Sequence, residues 1–313
     1  MADGSRHTLY SVEESVRGNT PSNPTLQTMR ITGTTLGLAK DSLQSNEIRS
    51  DRQIADFRLG ANQVGGDVNF ELSYDTFDEW FKGVLCSPDW TGNPEEIKGG
   101  VERHSFTLIR KFEDLSPSQK PYYIYRGCEF TQLQLTITAN AMITGTLTVF
   151  GQSQELASDL SALGTITPVE PTTTKPLDTF TGSLEEGGNP LAVVTEITLT
   201  LQNSVAARFV VGSKNSIAPS IGRSNLTGNM TAFFEDSSLV EKFVNEEESS
   251  LVLNLFDTEG NQQTYNIPRI IYTGGQPDVT GEGPITLAMP FQAMLDASST
   301  KTNIVIQRTP NTP

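Results

Sequence analysis

The side chains able to trade protons, attack or bind metal in this 313-residue chain come down to two histidines, two cysteines and 37 carboxylates. Acid–base or nucleophilic catalysis needs such groups within hydrogen-bond reach of one another. His7 falls in the N-terminal stretch and His104 in the ERHSF entry to a strand. Neither accompanies a nucleophile motif such as GxSxG, and both read as incidental surface residues. No Cys/His spacing suits zinc. The phosphate loop and the GxGxxG fingerprint are absent, TGEGP at 280–284 having the wrong spacing. The acidic runs EEIKGGVE (95–102) and NEEESS (245–250) read as solvated charge. A glycosidase pair of carboxylates is the one enzymatic alternative left. The chain is expected to have no catalytic residues, no metal and no cofactor.

Charge narrows the class further. A net charge of -15 repels nucleic acid and anionic membrane alike, so adhesive binding to either is not expected. The charge is shared: residues 1–165 hold 14 basic against 21 acidic side chains (net -7), and residues 166–313 hold 8 against 16 (net -8). Cys86 and Cys128 are too few for a disulfide framework and read as unpaired thiols of a reducing compartment. MADGSRHTLYSVEES lacks the apolar segment of a secretion signal, and no apolar run reaches membrane-spanning length.

The elements that must carry these residues are mostly strands. SFTLIRKF, PYYIYRG, LQLTITA, MITGTLTVF, VTEITLTLQ, SLVLNLF, NIPRIIY and NIVIQ alternate β-branched or aromatic residues with polar ones. One helix is well marked: Phe77, Trp80, Phe81, Val84 and Leu85 recur at helical spacing behind Asp75 and Thr76, with Glu79 placed for a capping box. SQELASDLSAL (153–163) is a second helix candidate or a polar loop. TITPVEPTTTKP, within 165–177, is a Pro/Thr-rich linker with extended backbone.

That linker divides the chain nearly in half, and the halves match. Shifted by 162 residues, LGANQVGGDVNFELSYDTFDEWF (59–81) lies over IGRSNLTGNMTAFFEDSSLVEKF (221–243) without a gap. Gly60 falls on Gly222, Gly66 on Gly228 and Phe81 on Phe243, while Ser237 and Ser238 offer the capping chemistry of Asp75 and Thr76. LYSVEES near the start resembles FTGSLEEG at 180–187. The unit expected twice is a short strand, a long hairpin, one helix and further strands.

The first hairpin is oversized. GTTLGLAKDSLQSNEIRSDRQIADFRLGANQVGGDVNFEL (33–72) reads as two long strands around a charged excursion. A strand of a dozen residues reaches about 40 Å, more than a compact sandwich needs. Such a ribbon leaves ladder groups exposed unless a neighbouring molecule pairs with it.

EIRSDRQIADFRLGANQVGGDVNFELSYDTFDEWFKGVL (47–85), GSLEEGGNPLAVVTEITLTLQN (182–203) and VTGEGPITLAMPFQAMLDAS (279–298) resemble the tail tube (major tail) proteins of long-tailed, non-contractile bacteriophages, the siphoviruses. The resemblance implies a mainly β fold: two tandem tail-tube-like β-sandwich or barrel domains, 1–165 and 166–313, each with a long β-hairpin and one flanking α-helix. It implies a structural protein of the virion tail, made in the host cytoplasm. Three chains would close a pseudo-hexameric ring, and rings would stack into an acidic channel that DNA crosses without specific binding. Partners implied are other copies of the chain and the tail terminator, tape measure and distal tail proteins. On that basis Glu47, Asp51 and Asp56 would line the channel or join rings, with Arg49, Arg52 and Arg58 as salt-bridge partners between hairpins or rings. The alternative is a glycan-binding β-sandwich module of a phage surface, for which Trp90 in CSPDWTGNP is the aromatic candidate.

Overall fold

Alternation of apolar and polar residues becomes, in the computed structural model, a mainly β molecule with 51% of residues in strands and 8% in helices. The structure describes residues 3–179, 182–279 and 281–311, so Phe180 and Thr181 of the FTGSLEEG match and Thr280 of TGEGP lie outside the described residues. The first half supplies β1 (His7–Glu14), β2 (Thr25–Met29), β3 (Gly33–Thr34), β4 (Gly37–Gln44) and β5 (Phe57–Glu71). Helix α1 (Asp78–Leu85) follows, then β6 (Glu95–Lys98), β7 (Ser105–Phe112), β8 (Tyr122–Thr138), β9 (Thr144–Gly151), β10 (Ser153–Ala157) and β11 (Thr167–Val169). The second half supplies β12 (Ser183–Glu186), β13 (Asn189–Pro190), β14 (Val194–Gln202), β15 (Ala206–Arg208), β16 (Ile217–Ser220) and β17 (Asn225–Phe233). Helix α2 (Ser238–Val244) is followed by β18 (Glu248–Phe256), β19 (Gln262–Tyr272), β20 (Pro277–Asp278), β21 (Thr286–Ala293) and β22 (Val305–Thr309).

One antiparallel run crosses the whole chain: β4 pairs β5, β5 pairs β9, β9 pairs β8, β8 pairs β14, β14 pairs β17, and β17 pairs β21. Two longer strands serve this wall and a covering layer at once. The start of β8 pairs β7 and β10, while its end pairs β9 and β14. Gly127 makes the turn between the two stretches: its φ of +64° favours glycine, and a Cβ there would stand 2.8 Å from the Gln152 side chain. Likewise β19 pairs β22 along its first stretch and β21 at its end, with β18 alongside from Gln262 to Ile271.

The core lies between the wall and the covering layer. From α1, Trp80, Phe81, Val84 and Leu85 are buried against it, Trp80 and Phe106 both packing on Phe130 with centroids 5.2 and 5.1 Å away. The Trp80 indole donates to Ser11 Oγ on β1 at 2.9 Å, so its polar edge is satisfied. The capping box expected at α1 does not form. Phe77 is the N-cap, Thr76 is hydrogen-bonded to Ser73 Oγ instead, and Glu79 pairs with Lys82 at 2.6 Å. At α2, Ser237 is the N-cap but its hydroxyl donates to Glu241, and Asp236 accepts from the Ser238 amide at 2.8 Å.

Two other expectations are corrected. Residues 153–163 form β10 and the short 3-10 turn Ser161–Leu163, because residues 153–157 find a partner edge on β8. The run EEIKGGVE is not merely solvated: Glu95–Lys98 is β6, paired with β22 from the other half. The linker is extended as expected, and part of it, β11, adds to β2 in parallel.

Neighbour relations in the first half recur in the second. β1 pairs β7 as β12 pairs β18, and β5 pairs β9 as β17 pairs β21. β10 lies on β8 as β22 lies on β19. β5 ends at Glu71 and β17 at Phe233, 162 positions on. Gly66 and Gly228 are required for close approach: a Cβ would fall 2.7 Å from the Leu36 backbone in one case and 2.3 Å from the Phe291 ring in the other.

Candidate assembly surfaces

The first surface is the solvent face of the wall. Side chains opposite one another across paired strands share a face, so the register assembles them into rows. One row runs Asn69, Thr146, Gln134, Thr200, Thr227, Gln292. The next runs Glu71, Thr144, Thr136, Thr198, Asn229, Pro290, and a third Asp67, Thr148, Gln132, Gln202, Asn225. A shorter fourth holds Thr138, Glu196, Thr231 and Ala288. Between them the alternate residues, such as Val68, Leu147, Leu133, Leu201 and Leu226, are buried.

Apart from Pro290 and Ala288, these four rows are hydroxyls and amides with three carboxylates, Asp67, Glu71 and Glu196, and they hold neither lysine nor arginine. The hydroxyls and amides bond along the face: Thr146 donates to Asn69 at 2.9 Å, Thr148 to Asp67 at 2.8 Å and Gln292 to Asn225 at 2.9 Å. A face without cations releases no counterions from a phosphate backbone and gives DNA nothing to hold.

The second surface is the hairpins beyond the wall. Of the eighteen exposed large apolar residues among the described ones, nine lie here: Leu43, Ile48, Ile54, Phe57 and Leu59 on the first hairpin, Phe209, Val210, Val211 and Ile217 on the second. The charged residues singled out from the sequence sit at the first tip. Arg49 pairs with Asp51 at 2.8 Å and Arg58 with Asp56 at 2.7 Å. Asp51 also caps the turn by accepting from the Gln53 amide, and Arg52 adopts φ +60° within it. The Arg49 hydrogen bond, then the Gln53 amide, lower the Asp51 pKa. Glu47 lies on the same excursion, its amide bonded to Ser45 Oγ at 3.2 Å. Both pairs lie inside one hairpin, whereas the expectation was of pairs between hairpins or rings. The second hairpin reaches back to the first: the Asn62 amide donates to Lys214 O at 2.8 Å, and Lys214 Nζ to Leu59 O at 3.0 Å.

The third region joins the halves. The Arg308 guanidinium from β22 meets Asp75 at 2.7 Å, Glu95 at 2.6 Å and Asp78, and stacks 4.8 Å over Trp90. Trp90 is half-buried, with the Arg308 guanidinium over one face of its ring. Arg103 pairs with the buried Glu129 at 2.6 Å and donates to Pro219 O on β16 at 2.9 Å, another tie across the halves.

Sequence reasoning missed a buried ionic network. His104 is buried, donating from Nδ1 to Glu13 at 2.6 Å and from Nε2 to the Ser87 carbonyl at 2.7 Å. With acceptors on both nitrogens it is held as the imidazolium, and the Glu13 bond raises its pKa. Glu13 in turn is lowered to about 2, chiefly by His104 and further by Lys82, against the opposing effect of burial. Burial opposes the Lys82 charge, but bonds to Glu79, Glu13 and Asp89 outweigh it and raise its pKa. His7 is no loose residue either: it opens β1 and accepts from Arg110 Nε at 3.0 Å. On β1, buried Glu14 accepts from Ser105, Thr107 and the amides of Gly18 and Gly127; on β12, buried Glu186 accepts from Lys242, Ser249 and Tyr272. The echo of LYSVEES in SLEEG was the available signal for these glutamates.

Both cysteines are free and buried, and burial pushes the Cys128 thiol up, so neither is a poised nucleophile. No group of three or more His, Cys, Asp or Glu among the described residues is arranged to hold a metal ion. No helix among them is long and apolar enough to cross a membrane. The model of the phage tail tube protein family matches residues 4–293, and the chain belongs to that family, whose members are structural components of the virion tail. No curated protein matches the chain.

Proposed function

We propose that three chains close a ring with pseudo-sixfold symmetry, each contributing two tandem tail-tube-like domains (1–165 and 166–313), and that rings stack into the channel through which the genome leaves the virion. The observation that carries this reading is the wall: one sheet through both halves, open at its two edges, polar on one face and covered on the other. Closing such sheets into a ring puts the covering layer outside, because it needs the larger circumference, and leaves the polar rows as the inner surface. Four wall strands from each half make about 24 in three chains, which at strand spacings of about 4.8 Å and a tilt near 40° close a barrel roughly 50 Å across.

The inner surface then works by giving DNA no cation to bind, with hydroxyls and amides that stay hydrated and carboxylates that repel phosphate. Glu47, Asp51 and Asp56, with Arg49, Arg52 and Arg58, sit at the hairpin tip and are assigned to ring-to-ring contacts, where the exposed Ile48 and Ile54 also find cover. Tail terminator, tape measure and distal tail proteins would meet the tube at its ends and within it. Negative-stain microscopy of concentrated protein and of virion tails tests the reading: ring or tube particles of three-chain multiples are expected. A chain that stays monomeric and is missing from tails refutes it.

A further inference from the structure

We propose that neighbouring chains join through β3–β4 of one copy and the Thr273–Val279 edge of the next, in the register that β8 and β14 already form inside each chain, and that this outer seam lacks a latch present on the inner one. The proposal rests on the tube reading above and names the surfaces that join its subunits.

The two edges follow from matching neighbours. Gly66 faces Val149, and its counterpart Gly228 faces Phe291. Across from Val149 lies Phe130 of β8; across from Phe291 lies Tyr272 of β19. Further along, Leu135 faces Gly145, and Pro277 of β20 faces Leu287. So Thr273–Val279 stands where the end of β8 stands. The end of β8 receives β14, with Leu135 opposite Leu199 and Ile137 opposite Ile197. Among the described residues β20 pairs only with β21, and Val279 is 73% exposed where Ile137 is 7% exposed.

The matching edge is at the other end of the wall. Ile197 faces Met230 as Thr34 faces Val68, the counterpart of Met230. β14 is thus the counterpart of β3–β4, and among the described residues both β3 and β4 pair only with β5. Copying the β8–β14 register sets Thr34 opposite Val279 and Leu36 opposite Pro277. At Leu36 the amide is bonded to Thr34 Oγ1 at 3.1 Å and the carbonyl accepts from Arg110 and Tyr125, so the ladder is completed by another copy on either side of it, each chain carrying one edge of each kind.

The seams differ in their outer layer. Nineteen residues separate the end of α1 at Leu85 from the start of β7 at Ser105, and they include β6, which pairs β22 with Ile97 opposite Ile306. Three residues separate the end of α2 at Val244 from the start of β18 at Glu248. The second half therefore has no strand to offer the next copy, and β10, the counterpart of β22, keeps an open edge with Leu156 45% exposed.

The test is a cysteine pair, Thr34→Cys with Val279→Cys, oxidised in assembled tubes. Linked dimers and a closed trimer, with nothing larger, are expected; the parent chain, whose own thiols are buried, stays unlinked. Tubes that form without linked species overturn the seam and leave the tube reading intact, whereas tails lacking the chain overturn the tube reading itself. Hydrogen exchange on the unaltered protein gives a second readout. Amides of residues 33–39 should slow on assembly, and unchanged rates there overturn the seam. As urea is raised, protection at 33–39 should fail before protection at 196–202; the reverse order overturns the inequality.

Discussion

The two helices occupy matching places and have different standing. In α1 every residue but Glu79 is buried; in α2 only Leu239 is. Trp80 and Phe81 enter a cluster of rings with Phe77, Phe106 and Phe130, while Phe243 and Val240 rest half-buried on the edge of the core. The nineteen residues after α1 brace the other half; the three after α2 brace nothing. The strand pairings of the two halves correspond, while the buried anchoring is concentrated in the first half. Burial, not the repeated pattern, decides how much each helix stabilises.

Substitution at the matched phenylalanines breaks the comparison most directly. Phe81→Ala removes a ring that is 1% exposed and should cost about 3–5 kcal/mol. Phe243→Ala removes a half-buried ring and should cost less than half of that; urea unfolding of the unassembled chain, followed by tryptophan fluorescence, checks the ratio. Equal costs would dissolve the distinction between the helices.

Arg308→Ala comes next. It strips the nearly buried Asp78 of its cation and uncovers Trp90, for an expected loss of about 3 kcal/mol, with faster amide exchange in β6 and β22. Leu156→Ala, on the open edge of β10, should leave the unassembled chain within about 0.5 kcal/mol of the parent.

A smaller effect sharpens the contrast through pH. His104 has a raised folded pKa, so its stabilisation is complete below the unfolded value near 6.5 and is lost as pH rises through the folded one. Glu13 works in the opposite sense: its contribution is present above the ordinary carboxylate range and is lost as pH falls toward about 2. Melting temperature against pH should fall at both ends, and His104→Gln should remove the alkaline component. The second half contains no histidine, so no matching component is expected from it.

The smallest change on the unassembled chain is expected at the hairpin tip. Arg49→Ala and Asp51→Ala break an exposed pair, and the unfolding midpoint should stay put while ring stacking, counted by microscopy, weakens.

Strand positions were legible because alternation is a local signal: SFTLIRKF and VTEITLTLQ are β7 and β14 to the residue. PYYIYRG and LQLTITA were read as two strands, and the structure fuses them into β8, since Gly127 bends the chain without ending it. The 153–163 segment misled because its helical spacing competes with an available edge on β8, a partner no local window contains. The polar rows were invisible for the same reason, each being assembled from up to six strands across both halves. Charge density drew attention to Glu47 through Arg58, but those side chains largely neutralise one another locally. His104 looked incidental because its partners lie 91 and 17 positions away.

The wall rows without lysine or arginine have a practical corollary. A small acylating reagent that enters an assembled tube meets alcohols and carboxamides along those rows, none of them reactive enough to be modified under mild conditions. Primary amines such as Lys111 and Lys242 lie on other elements. If those rows line the bore, as proposed above, mild labelling of assembled particles would leave the rows bare and fall on exposed amines elsewhere, Lys40 on β4 included.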